Sequence, residues 1–323
     1  MTVTQERIDG RSGPVRRDGR ERNTERIERL NTASARKLID PEVDVDGEVG
    51  PGQVVPDELL SVYGLDLGLT REQMITLSRE ETASILATGI RFEATLMAAF
   101  ALGMLHADLT DPRVVYELHE VGEETRHSRV FSRVLTQLQP KAVDPFLQSR
   151  IFRWIDRHGS VQLITKPALM TTMVLAGEEI PDLIQKRASE HPDTDPYIKA
   201  VNLYHRQEEA RHLSFARMRV GEHWATATRA DRFAVKHVAP LLIEGLFMSL
   251  VHPGVYRTVG LDGWATAKKV RRSPHRLELK HEAVRPVLKA LTDAGVLKPG
   301  RIPRGWQKVC HVDRHGSPLP AAA

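Results

Sequence analysis

Hydrophobic positions along this chain recur every three or four residues, the spacing that places side chains on one face of a helix. No segment shows the sustained alternation of polar and apolar residues that a half-buried β-strand requires. Helix-start signals agree with this pattern. Thr70-Arg-Glu-Gln73 has the form of a capping box, and Asp111 and Asp195 each stand directly before a proline. The pattern therefore predicts an all-α protein.

Helices are predicted over residues 24–40, 70–88, 90–106, 112–138, 143–158, 161–187, 196–224, 230–250 and 274–294. Gly89 is expected to bend the chain between the second and third of these. Pro181 and Pro240 are expected to kink the helices that contain them, because proline donates no backbone hydrogen bond. The run from Ile90 to His106 is nearly all apolar and is predicted to lie in the core, with Glu93 as its one acidic residue.

Composition divides the chain into four parts. Residues 1–23 are rich in Arg, Gly, Asp and Thr and predict a disordered basic arm. Residues 24–64 form an N-terminal extension, with a linker or extended loop over 41–56. Residues 65–255 hold the central bundle, and residues 256–323 form a C-terminal helical extension and tail.

Composition also excludes several classes of protein. The apolar content of 41% supports a sizeable core, and an aromatic content of only 5% favours aliphatic helix packing. The net charge of +4 lies largely in the tails, so we predict no nucleic-acid partner. A single cysteine, Cys310, allows no internal disulfide. The sequence shows no secretory signal, and its apolar runs are too short or interrupted to span a bilayer, so we expect a cytoplasmic protein without a membrane partner.

The chemistry of the chain is concentrated in the segment from Leu203 to Met218. His205, Glu209 and His212 are spaced i, i+4 and i+7, so a helix places them on one face. Apolar neighbours indicate that this face is buried. Three buried ionisable groups are costly unless something pairs them, and a metal ion is the simplest partner.

An internal repeat supports the metal hypothesis. Residues 122–127 and 207–212 both contain Glu-Glu-x-Arg-His, at an offset of 209 − 124 = 85. The same offset relates Glu93 to Glu178, so each single glutamate precedes its Glu-x-x-His motif by 31 residues. The neighbouring Glu179 falls about 100° away on the helix, so the spacing selects Glu178.

The repeat predicts a two-metal carboxylate site inside a four-helix bundle. The predicted ligands are four glutamates and three histidines: Glu93, Glu124, His127, Glu178, His205, Glu209 and His212. A dinuclear, carboxylate-rich set favours two iron ions over zinc, with manganese possible at one or both positions. His205 breaks the symmetry, because the offset places Glu120 opposite it. Glu120 either orients a histidine or is solvated.

These residues resemble the p-aminobenzoate N-oxygenase family of ferritin-like di-iron proteins. The His-x-x-x-Glu-x-x-His motif of that family is here His205, Glu209 and His212, and the resemblance covers roughly residues 65–255. It implies a ferritin-like four-helix bundle with additional flanking helices. It further implies that O2 is the co-substrate, that an arylamine nitrogen is oxygenated to the hydroxylamine or nitro level, and that the protein is a homodimer.

Electrons must come from an external donor or reductase, because the chain has no flavin or nicotinamide fingerprint and no cysteine set for an iron–sulfur cluster. The residues alone leave a second class open. The bundle could instead be a non-catalytic or other-redox metal protein, such as a ligand-binding oxidase, a di-manganese or iron protein, or a ferroxidase.

Overall fold

The structure, a computed structural model, describes residues 19–36 and 38–320. The predicted arm over residues 1–23 therefore lies for its first eighteen residues outside the described part of the chain.

Within the described residues the backbone is helical, and its one β-type pairing is an isolated bridge between Val312 and Pro318. The predicted all-α fold class is thus confirmed. The helices are α1 Gly19–Arg36, α2 Arg71–Met104, α3 Pro112–Leu138, α4 Pro145–Gln148, α5 Arg150–Ile164, α6 Pro167–Glu190, α7 Pro196–Thr226, α8 Arg229–Phe233, α9 Ala239–Leu250, α10 Pro253–Arg257, α11 Gly263–Val270, α12 Pro274–Asp293 and α13 Arg304–Cys310.

The four long helices α2, α3, α6 and α7 form the ferritin-like bundle, in which α2 packs mainly on α3 and α6 mainly on α7. Their starts follow the predicted signals. The Thr70 side chain accepts a hydrogen bond from the Gln73 amide, and Gln73 completes the capping box. Asp111 and Asp195 cap α3 and α7, and the proline after each occupies the first turn, where no amide hydrogen is needed.

The predicted bend at Gly89 is wrong, because α2 continues through it as one helix of 34 residues. Gly89 instead gives room to the Phe131 ring, which would lie 3.4 Å from a β-carbon there. The predicted core position of the run 90–106 is only partly right. Glu93 and Leu96 are buried, but the far end of the helix faces outward and leaves Leu102 53% exposed.

The region predicted as a helix over 143–158 is divided at Ser149, whose hydroxyl caps α5 by accepting a hydrogen bond from the Phe152 amide. Helix α5 then runs to Ile164, so the next helix starts at Pro167 and not at residue 161. Only the end of α5 packs its apolar side on the bundle, through Leu163. Ile151 is 72% exposed and Trp154 is 62% exposed.

The two predicted proline kinks have different outcomes. Pro181 lies inside α6, and the helix continues through it to Glu190. The helix type changes in the segment before Pro240, since residues 234–238 form a π-helical turn between α8 and α9. A wider turn of this kind is one way for a helix to accommodate a residue without an amide hydrogen.

Helices outside the bundle extend its core. Helix α12 packs on α6, and Val287, Leu291 and Trp306 join the cluster of buried residues that includes Leu175 of α6. The Trp306 indole donates a hydrogen bond to the Val235 carbonyl at 3.0 Å. Helix α1 lies along α3 and α7. The division of the chain at residues 65 and 255 stays a prediction.

Two helical stretches, Arg71–Met104 and Arg229–Arg257, are long and apolar enough to cross a membrane by length and composition alone. The expectation that the apolar runs are too short to span a bilayer is therefore not supported by helix length. Core helices of soluble proteins meet the same criterion, so the finding is weak evidence. Glu93 in the first stretch is buried beside His127 and His205 of the bundle.

Candidate metal centre

All seven residues predicted as ligands lie inside the bundle, with exposed fractions of 0–5%. They come from the four bundle helices: Glu93 from α2, Glu124 and His127 from α3, Glu178 from α6, and His205, Glu209 and His212 from α7. Each helix brings its residues inward because positions three, four and seven apart share a face. A coherent group of acids and imidazoles results at the bundle centre.

Glu124 and Glu209 occupy the middle of the group. The two oxygens of Glu124 lie 3.1 Å from the Nδ1 atoms of His127 and His212, one oxygen to each ring. The two oxygens of Glu209 lie 3.3 and 3.2 Å from the same two nitrogens. Each central carboxylate therefore faces both halves of the site, which is the arrangement of a carboxylate that bridges two metals.

The third histidine joins one half only. His205 Nε2 lies 3.4 Å from Glu209 Oε1 and 3.7 Å from Glu93 Oε1. Its Nδ1 is 2.9 Å from the Gln185 side-chain oxygen, so Nδ1 carries the proton and donates it. This hydrogen bond leaves the lone pair of Nε2 directed at the carboxylates, as a metal ligand requires. The Ser128 hydroxyl donates to the other oxygen of Glu93.

Glu178 lies close enough to Glu209 for the two carboxyl groups to influence each other's ionisation. Burial raises the pKa of Glu178 well above its usual value, and the negative charge of Glu209 raises it further. The adjacent Glu179 points elsewhere and pairs with Arg217. The structure thus places the two neighbours on different sides of α6, as their angular separation predicts.

The first glutamate and the arginine of each Glu-Glu-x-Arg-His motif bind residues of the other motif, and so connect α3 with α7. Glu208 accepts hydrogen bonds from His127 Nε2 at 3.0 Å and Arg126 at 3.1 Å. Glu123 accepts the corresponding bonds from His212 Nε2 at 2.7 Å and Arg211 at 2.8 Å. The i, i+3 spacing within each motif favours pairing of each acid with the arginine of its own helix. Those contacts exist at 3.9 and 3.6 Å, but the shorter ones cross between α3 and α7.

This crossed network sets the charge on the imidazoles in the metal-free protein. Burial alone would lower the pKa of His127, but its hydrogen bonds with Glu124 and Glu208 raise that pKa to about 10. The pKa of His212 is likewise raised well above its usual value, because the charges of nearby carboxylates outweigh burial. Burial opposes the ionisation of Glu123, yet the His212 and Arg211 contacts lower its pKa to about 2.

Several buried atoms at the centre lack hydrogen-bond partners in the described structure. They include one oxygen of Glu124, one oxygen of Glu209 and both oxygens of Glu120. An unpaired buried carboxylate oxygen is costly, and a cation satisfies it. Three groups of ligand atoms also lie within 4.8 Å of one another. These groups are Glu93, His127 and His205; Glu120, Glu124 and His212; and Glu124, His127 and Glu209. The residues present therefore fit a pair of metal ions.

The supporting roles of Gln185 and Ser128 were not predictable from the sequence, because a single polar residue on a helix has no diagnostic spacing. The repeat identified Glu120 as the counterpart of His205, but it did not indicate whether Glu120 is buried. The structure buries it fully, and burial together with neighbouring carboxylates raises its pKa to about 8.

Two cavities border the centre. A small one of about 40 Å³ touches Glu93, Glu178 and His205. A larger one of about 560 Å³ opens between the ends of α2, α3, α6 and α7, with Glu120 in its wall. Its lining is mainly apolar and includes the rings of Phe100 and Phe215.

Comparison with known proteins agrees with this geometry. The family model described as p-aminobenzoate N-oxygenase AurF matches residues 20–295. Two relatives are uncharacterized mycobacterial proteins, Rv0885 of Mycobacterium tuberculosis (strain H37Rv) and Mb0909 of Mycobacterium bovis. Each is 27% identical over 239 residues, which is 71% of this chain and 69% of the relative. The match extends the resemblance beyond residues 65–255, to α1 and α12. The chain belongs to the p-aminobenzoate N-oxygenase AurF family.

Proposed function

We propose that this protein is a di-iron oxygenase that uses O2 to oxygenate the nitrogen of an arylamine. Family membership supports a di-iron oxygenase. The observation that carries the proposal in this chain is the central pair, Glu124 and Glu209, each facing both His127 and His212 within 3.1–3.3 Å. A storage or purely structural role does not need a third histidine or an adjoining cavity of about 560 Å³.

The proposed ligands are Glu93, Glu124, His127, Glu178, His205, Glu209 and His212. Two irons held by this set would supply the coordination positions for O2 and would pass on the electrons that an external donor provides. The chain's own residues keep the set in place. Gln185 holds the tautomer of His205, while Glu123 and Glu208 hold those of His212 and His127. Burial of every member excludes bulk water from the reacting centre.

The chemistry of the donor set does not distinguish iron from manganese, because both accept carboxylate and imidazole ligands. We propose iron at both positions, with manganese as the alternative at one or both. The electrons come from an external donor, since the single cysteine, Cys310, is buried and cannot hold an iron–sulfur cluster alone. A homodimer and a cytoplasmic location are further proposals that the family resemblance supports.

The activity test uses the purified chain loaded anaerobically with two equivalents of Fe(II) and then exposed to O2 with an arylamine such as p-aminobenzoate. We expect O2 consumption coupled to a hydroxylamine or nitro product, detected by mass spectrometry with an ¹⁸O label from ¹⁸O2. Loaded protein that consumes O2 and releases ferric iron without any labelled product is a ferroxidase. Protein that holds its metals without consuming O2 is a binding protein.

We place the organic substrate in the larger cavity, because about 560 Å³ lies in the range of pockets for small organic ligands and the smaller cavity has room for little more than a water molecule. Gly103 lines that cavity, and a β-carbon added there meets no other atom within 4 Å. Gly103→Phe should therefore fill the entrance without disturbing the core. The expected result is about a tenfold or larger rise in KM for the arylamine. A misfit in an apolar pocket costs about 1–3 kcal/mol of binding energy, which corresponds to an effect of this size.

The matched control is Gly245→Phe, at a helical glycine that also has open space around its α-carbon but lies outside this cavity. Both variants should retain the iron content of the unaltered protein. An unchanged KM in Gly103→Phe would place the amine elsewhere, and Phe92→Ala, which enlarges the smaller cavity, would then be the variant expected to change KM.

A further inference from the structure

Glu120 is the one fully buried acid of the centre that neither the family motif nor the crossed hydrogen-bond network uses. Its exposed fraction is 1%, and neither of its oxygens has a hydrogen-bond partner among the described residues. Burying a carboxyl group without a hydrogen-bond partner destabilises the folded protein, so a compensating interaction is expected at this position. The surrounding residues show what that interaction is.

The two roles that the sequence leaves open for Glu120 both fail. It is not solvated, since each oxygen has almost no contact with solvent. It does not orient a histidine either, because both nitrogens of the nearest imidazole are engaged. His212 Nε2 contacts Glu123 at 2.7 Å, and His212 Nδ1 faces Glu124 and Glu209 at 3.1 and 3.2 Å.

A third role follows from the internal repeat. The offset of 85 residues relates Glu120 to His205, which reaches the centre on the side of Glu93 and His127. Glu120 reaches the other side. One of its oxygens, one oxygen of Glu124 and one nitrogen of His212 all lie within 4.8 Å of one another, a distance that lets a single ion contact all three.

We propose that Glu120 is an eighth metal ligand, which binds the ion held by His212 and Glu178 and so matches His205 on the other ion. This inference rests on the proposed dinuclear centre. We assign Glu178 to the ion of His212, whose charge acts on it. Each ion then has five residues, because Glu124 and Glu209 are shared. One set is completed by Glu93, His127 and His205, and the other by Glu178, His212 and Glu120. The two ions are inequivalent, because one set has a second imidazole where the other has a second unshared carboxylate. The ion in the carboxylate-rich set lies toward the larger cavity, since Glu120 is part of that wall.

The test compares Glu120→Gln and Glu120→His with Glu117→Gln. Glu117 is a matched control on the same helix, where its carboxylate faces Arg219 at 3.7 Å. The metal-free proteins are titrated anaerobically with ⁵⁷Fe(II), and binding is followed by metal analysis and Mössbauer spectroscopy. Glu120→Gln should weaken one of the two sites about tenfold or more and change one quadrupole doublet, since even residues behind the ligands affect affinity by about 10–100-fold.

The histidine variant separates ligation from packing. Glu120→His supplies a ligand nitrogen in a side chain of different shape, so it should restore the second iron and move its Mössbauer parameters toward those of the ion beside His205. Glu117→Gln should hold two irons with an unchanged spectrum. The inference is overturned when all three variants bind two irons with the affinity and spectrum of the unaltered protein. Failure of the unaltered protein itself to bind two irons would instead overturn the proposed function.

Discussion

Replacing Glu209 with alanine is expected to abolish the dinuclear centre. Glu209 contacts all three histidines of the site: its oxygens lie 3.2–3.4 Å from ring nitrogens of His127, His205 and His212. Because both ions depend on it, Glu209→Ala should lower the iron content from two per chain to a small fraction. The apparent affinity should fall by at least about 100-fold, the upper end of the effect of removing a supporting residue.

The matched control is Gln207→Ala, two positions away on the same helix with its side chain exposed. Metal analysis after anaerobic loading and gel filtration measures the difference, and circular dichroism at 222 nm verifies that both variants remain helical. Two firmly bound irons in Glu209→Ala would show that the central carboxylate does not bridge them, and the assignment of the whole ligand set would then be wrong.

The helix starts and the candidate ligands could be predicted from the sequence because both depend on local or periodic signals. Proline after a capping aspartate fixes the first turn of α3 and α7 wherever the helix packs. The repeat of Glu-Glu-x-Arg-His makes two weak motifs mutually supporting, and the same offset connects Glu93 with Glu178. A buried site with internal symmetry is therefore visible in one sequence, without any structural information.

Features that depend on packing between helices were not predictable in the same way. The bend expected at Gly89 assumed that a glycine in an apolar run weakens a helix, but the Phe131 ring of α3 packs against that position. Local spacing also paired Glu208 with Arg211, whereas the distance between α3 and α7 decides that Glu208 contacts Arg126 more closely. Which face of α5 packs is likewise a tertiary property, and most of its apolar side chains remain exposed.

The raised pKa values of His127 and His212 make metal binding by the centre depend on pH. In the metal-free protein the pKa of His127 is about 10 and that of His212 is raised well above its usual value, so both shifts favour the cationic ring with a proton on each nitrogen. For a histidine whose folded-state pKa is raised, the resulting stabilisation is complete below about pH 6.5 and is lost as pH rises through about 10. A metal ion requires the neutral ring, because the lone pair that binds the ion is the one that holds the proton.

Metal loading at pH 7 is therefore expected to release at least two protons per chain, one from His127 and one from His212, and any proton held by Glu178, whose pKa burial raises, adds to this count. Glu120, whose pKa is raised to about 8, should release most of one further proton if it is a ligand. Each released proton makes the apparent affinity rise about tenfold per pH unit, so two protons give about a 100-fold rise between pH 6 and pH 7.

Anaerobic titration calorimetry in buffers of different ionisation enthalpy counts the protons directly. Glu120→Gln should reduce the count by somewhat less than one, while Gln207→Ala should leave it unchanged. Loading that releases no protons at pH 7 would mean that the imidazoles are already neutral, and the carboxylate contacts of His127 and His212 would then not hold the charge that their geometry implies.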